Sequence, residues 1–173
     1  GRFGKKILLS TPTFLYEAFN ASRVLLADLD GSGAADLICL ESDCFRVFMN
    51  QCGKGFAKQS IDIPWPEGVR YDNLCQVTIA DLLGLGCSSL VLTVPHMTPQ
   101  HWRYDFVHAK PYLIDSSNNN MGARSCIEYR SSAQELLDEE FEQHQIDKDK
   151  VLESEVPFAM HLVKRQTQVD EIT

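Results

Sequence analysis

The chain has no run near the ~20 apolar residues that a bilayer-spanning helix needs, no basic excess, and no cysteine pair in CxxC spacing. The first absence gives no reason to expect membrane contact. The second argues against nucleic acid, because 16 Lys and Arg face 24 Asp and Glu, a formal charge of −8. The third removes the usual zinc signature: Cys39, Cys44, Cys52, Cys75, Cys87 and Cys126 are irregularly spaced. Cys39 in an apolar run and Cys126 in the alternating "SCIEYR" read as buried thiols. Also missing are GxSxG, a P-loop, a dinucleotide-binding glycine motif and HExxH. The start, "GRFGKKILLSTPTF", has a basic pair but no signal-peptide core and cleavage site. Its first residue is Gly, so we expect a piece of a longer protein.

The acidity is uneven. Residues 1–130 hold 12 basic and 13 acidic side chains, whereas the last 43 hold 4 and 11. A hydrophobic share of 44% with 23% charged residues is otherwise ordinary for a globular chain.

What is present is a repeat. "RVLLADLDGSGAADLICLE" from Arg23 aligns with "QVTIADLLGLGCSSLVLTV" from Gln76, an offset of 53 residues. Each copy is a short β-prone run ending in Ala-Asp-Leu, a loop with Gly at its fourth and sixth positions, and a second apolar run. Alternating stretches follow both, "FRVFMNQCGKGF" and Trp102 to Val107. The expected unit is about 50 residues with roughly four strands, too small to bury both faces alone. Stacked β-propeller blades are the first reading and a plain antiparallel sandwich the runner-up.

In the first loop the odd positions are Asp28, Asp30, Ser32, Ala34 and Asp36, with Gly33 at the sixth. A hard cation such as Ca²⁺ takes six to eight oxygens, and a tight turn directs alternate groups inward, with the Ala34 carbonyl available as a backbone ligand. This is no EF-hand, since Cys39 stands where a bidentate Glu belongs and strands flank the loop. It resembles the nine-residue calcium loop of FG-GAP (VCBS-like) blades, as in integrin α-subunits. The second copy offers Asp81, Leu83, Leu85, Cys87 and Ser89 at those positions, which cannot make a calcium cage. Two readings therefore stand for the first loop: a cation site, or a turn held by Asp side chains capping amides. "GLGCSS" has the look of a nucleophile turn at Cys87 or Ser88, but no positioned base accompanies it and the repeat accounts for its glycines. No catalytic residue is assigned, and no enzymatic activity is expected.

After Asp115 the pattern changes. The run 116–132 is polar and turn-rich, then alternates as a strand. "SSAQELLDEEFEQHQ" opens with helix caps at Ser131 or Ser132 and places Leu136, Leu137 and Phe141 on a helical stripe. Residues 135–155 carry nine acidic and two basic groups, read as a solvated face or as an acidic docking surface. Strand-like residues return from Val156.

The order of "ADLDGSGAADL", "VTIADLLGLGCSSLV", "RYDFVHAKPYLI", "NNNMGA", "YRSS" and "VPF" resembles the middle/N-terminal region of the B component of bacterial insecticidal toxin complexes, the Tc toxins. The likeness runs from Phe3 to about Val163, with Lys110-Pro111 and Asn119 to Gly122 its most telling parts. Its charge-rich stretch 138–155 and its cysteines depart from the family. The resemblance implies a mainly β fold: partial propeller at 1–115, then 116–173 leading into shell strands with one short helix. It implies a non-enzymatic structural and gating role. A C component joins to form a hollow shell with Rhs-type repeats, and the propeller closes that shell and docks to the pore-forming A component for toxin translocation. Such a complex is made in the bacterial cytoplasm and secreted. A calcium-stiffened FG-GAP adhesion or carbohydrate-binding propeller is the alternative.

Overall fold

The computed structural model describes residues 4–7, 20–95, 98–146 and 158–170. Chain order within it is a single 3-10 turn at Ala21–Arg23, then β1 (Val24–Ala27), β2 (Asp36–Leu40), β3 (Cys44–Phe48) and β4 (Ile61–Pro64). There follow β5 (Gln76–Ala80), β6 (Ser89–Val94), β7 (Gln100–Tyr104), β8 (Ser116–Asn118), β9 (Ala123–Ser131), α1 (Ser132–Ile146) and β10 (His161–Asp170). The fold is mainly β, as expected.

The repeat is visible as geometry. β1 to β4 form an antiparallel meander and β5 to β7 a second one. In the first, Val24 pairs with Cys39 and Ala27 with Asp36. In the second, Val77 pairs with Leu92 and Ala80 with Ser89, the same register displaced by 53 residues. The third strands are further apart in sequence, because the turn at 41–43 is replaced by the longer connection 95–99. The second meander has three strands among the described residues, not the four expected, and β7 ends at Tyr104 short of Val107.

The central strands explain their own composition. Every residue of β2 is buried, and four of the six in β6 are, so both read as apolar runs with little alternation. One face of each meander contributes to a common core: Ile38, Leu40, Phe45 and Val47 meet Leu90, Leu92 and Val94. Trp65 and Cys75, from the stretch between the units, complete it. Phe45 is fully buried, with ring centroids 4.9 Å from Trp65 and 5.1 Å from Tyr104. The Trp65 indole N–H donates to the Glu41 carbonyl at 2.8 Å, so its polar edge is satisfied inside the core. Burial of this common face is the main force joining the units.

The third sheet has the order β10-β9-β8. β8 lies in the polar run that read as a turn, and is paired only through Ser116–Asn118 with Arg124–Cys126. The tight connection follows from its asparagines: Asn119 Oδ1 accepts from the Met121 and Ala123 amides, and Asn120 and Gly122 adopt positive φ. α1 begins where Ser131 predicted, with the Ala133 amide donating to Ser131 Oγ at 3.3 Å. Its expected apolar stripe finds little cover among the described residues: Leu137 and Phe141 are exposed. Arg130 pairs with Glu135 and Asp138, which anchors the first turns of α1 to β9. Residues 147–157, holding the rest of the acidic stretch and Val156, lie outside the described residues. No helix among the described residues is long and apolar enough to cross a membrane.

Candidate cation-binding loop

The turn between β1 and β2 is built by its carboxylates. Asp28 Oδ2 accepts from the Gly33 amide at 2.8 Å, and Asp30 Oδ1 from the Ser32 amide at 2.9 Å. Asp36, fully buried, accepts from the Leu29 amide at 3.1 Å and the Asn50 amide at 2.8 Å. Gly31 and Gly33 have φ of +72° and +84°, a backbone that costs an L-residue about 1–2 kcal/mol. Ser32 and Ala34 share the turn, with the Ala34 amide 3.4 Å from Ser32 Oγ.

The fold brings Asp28, Asp30 and Asp36 together, with one carboxylate oxygen from each within 4.8 Å of the others. Asp28 Oδ1 is buried and lacks a hydrogen-bond partner. Burial pushes the Asp36 carboxyl up, reinforced by Asp30 and Asp28 and opposed by its two amide bonds. Desolvation acts most strongly on Asp30, to raise it, but its hydrogen bonds taken together, those to Ser32 first among them, leave the net displacement downward. Three crowded carboxylates and an orphaned oxygen form a donor set that fits a hard cation, which would neutralise the crowding.

The loop between β5 and β6 is the natural control. Gly84 and Gly86 also have positive φ, +63° and +67°. Both oxygens of Asp81 are satisfied there, accepting from Leu85 at 3.0 Å and Gly86 at 2.7 Å. The turn shape thus persists on glycines and one Asp. At the position matching Asp36, Ser89 donates to Asp105 at 2.7 Å. Cys87 is buried, and burial raises its thiol despite the nearby Lys110, which is the opposite of an activated nucleophile.

Asn50, just after β3, carries no motif of its own in the sequence. Its amide holds Asp36, its side-chain NH₂ donates to the Ala35 carbonyl at 2.7 Å, and its Oδ1 accepts from Gly53 at 2.8 Å. The signal was its place before the turn "QCGKG". All six cysteines are free thiols.

Two similarly wired β-meanders sharing a core define a repeat-built scaffold protein with a carboxylate-lined turn in one repeat only. Residues 50–173 match the family described as "Insecticide toxin TcdB middle/N-terminal region". The chain belongs to that family, within the B component of the insecticidal Tc toxins. A crystal structure of TcdB2–TccC3 is 42% identical with a TM-score of 0.87, covering 99% of this chain and 8% of that one. The Photorhabdus luminescens Tc holotoxin pore matches at 42% identity and TM-score 0.79, covering 90% of this chain and 7% of that one. TcdB2–TccC3–Cdc42 is likewise 42% identical, with a TM-score of 0.85. The chain therefore spans less than a tenth of these solved chains. Among curated proteins, no sequence matches.

Proposed function

We propose that this segment is a non-enzymatic structural part of a secreted Tc toxin complex, forming FG-GAP-like propeller blades in residues 1–115 and entering the toxin shell in 116–173. The observation that carries the reading is the pair of meanders with one register and one core. That arrangement suits successive blades, each burying its neighbour's face. The likeness to TcdB2–TccC3 and to the holotoxin pore supports a C component as shell partner and an A component as docking partner. In this role the propeller closes the hollow shell, and docking distorts it to let the toxin pass. The full-length protein, assembled with its C and A components and imaged, should place β1–β7 in a ring at the A-component junction. Finding them remote from that junction would overturn the docking role.

The first loop is the place for a stiffening Ca²⁺, held by Asp28, Asp30 and Asp36 with Ser32 Oγ and the Ala34 carbonyl as further oxygens. The unpartnered Asp28 oxygen supports this. Added Ca²⁺ should raise the melting temperature, and Asp30→Ala should abolish the rise. A wild-type protein indifferent to Ca²⁺ would reduce the loop to a turn held by amide bonds alone.

A further inference from the structure

The segment Lys110–Pro111–Tyr112 has no counterpart in the repeat and lies across both loops. Lys110 Nζ donates to the Gly86 carbonyl at 2.9 Å and sits 3.9 Å from Cys87 Sγ. The next residue reaches the other unit: a Cβ built on Gly31 would fall 2.9 Å from Pro111 Cδ and Cγ, and 2.6 Å from Cys87 Sγ. The two loops also bond directly, the Ser88 amide donating to the Asp28 carbonyl at 3.0 Å. Tyr112 follows with φ +63°, a left-handed backbone uncommon for a bulky residue.

We propose that Lys110 and Pro111 form a lock between the two repeat units, in which the Lys110 ammonium serves the second loop as a built-in cation and Pro111, seated on Gly31, ties that loop to the first. The second loop has Leu83 and Ser89 where the first has Asp30 and Asp36, and its Gly86 carbonyl is directed at the Lys110 ammonium. A side-chain ammonium thus stands in for an ion from solution. Gly31 is required because any side chain would displace Pro111 or Cys87. The lock does not depend on metal in the first loop, and it is tested without one.

The experiment is native-state amide hydrogen exchange on the full-length protein in chelator-treated buffer, comparing wild type, Lys110→Met, Lys110→Arg and the control Lys58→Met. A charge-assisted bond at this half-exposed site should slow local opening by about tenfold. Lys110→Met is expected to speed exchange at Ser88 and Gly86 by that factor, with Lys110→Arg partly restoring protection and Lys58→Met matching wild type. Gly33, in the same loop as Gly31 but away from the lock, should change less than Ser88. Unchanged exchange at Ser88 in Lys110→Met would overturn the proposal, as would equal acceleration at every loop amide. Should Lys110→Met fail to fold, Pro111→Ala provides the same comparison through the Gly31 seat. A Ca²⁺-indifferent protein with a Lys110-dependent Ser88 amide would refute the cation reading and leave the lock standing.

Discussion

Gly31 and Gly33 allow the contact between the units to be weighed against backbone strain. Both sit in the same loop with similar positive φ, +72° and +84°. Alanine at either pays about 1–2 kcal/mol for that backbone, reduced by roughly 0.4–1 kcal/mol because alanine also restricts the unfolded chain. A Cβ at Gly33 meets nothing within 4 Å, whereas one at Gly31 lands 2.6 Å from Cys87 Sγ and 2.9 Å from Pro111. Forcing a methyl into such a seat costs about 1–3 kcal/mol more. Gly33→Ala should therefore destabilise by about 1 kcal/mol and Gly31→Ala by about 2–4 kcal/mol. For a chain of this size the melting temperatures should differ by about 3–10 °C, and urea titration should show the same gap at unchanged slope. Equal losses in the two variants would mean that the units do not touch at Gly31.

Phe45→Ala removes the ring that contacts Trp65 and Tyr104 and should cost about 3–5 kcal/mol by urea unfolding; under 1 kcal/mol would deny the common core. The Cys39 thiol is pushed up to about 11 from the usual 9.0, first by burial and then by Glu41. The folded state then holds this proton more tightly than the unfolded state, so the group's stabilising share is complete below pH 9.0 and is lost as pH rises toward about 11. Thiol reagents at neutral pH should label exposed Cys52 and spare Cys39, and rapid native labelling of Cys39 would contradict its burial. β10 is exposed along almost its whole length and is the edge strand of its sheet among the described residues, so the isolated chain should self-associate by light scattering. A stable monomer would argue against a place for this sheet within a larger one.

Much of the scaffold was legible because its signals are local. Ala-Asp-Leu followed by glycines at fixed spacing prescribes a strand and a left-handed turn, so the repeat and its register could be read from letters alone. The asparagine run 118–120 reads as a turn, but nothing in the letters marks the short strand β8 that leads into it. Three polar residues, Ser116 to Asn118, have no strand pattern and pair only because β9 lies alongside. Leu137 and Phe141 were legible as a helical stripe, and yet the helix leaves them exposed, since a stripe specifies a face and never its cover.

The β units, the offset of 53 residues and the one loop rich in Asp are written in the order of the residues, because backbone conformation and hydrogen-bonding side chains act over a few residues. That Asp28 keeps an orphaned oxygen, that Asn50 locks Asp36 from fourteen residues away, and that Lys110 and Pro111 reach two loops at once emerges from the folded arrangement alone. Those facts depend on distances between chain segments that no local pattern encodes, fixed when burial of the common core sets the two sheets against each other.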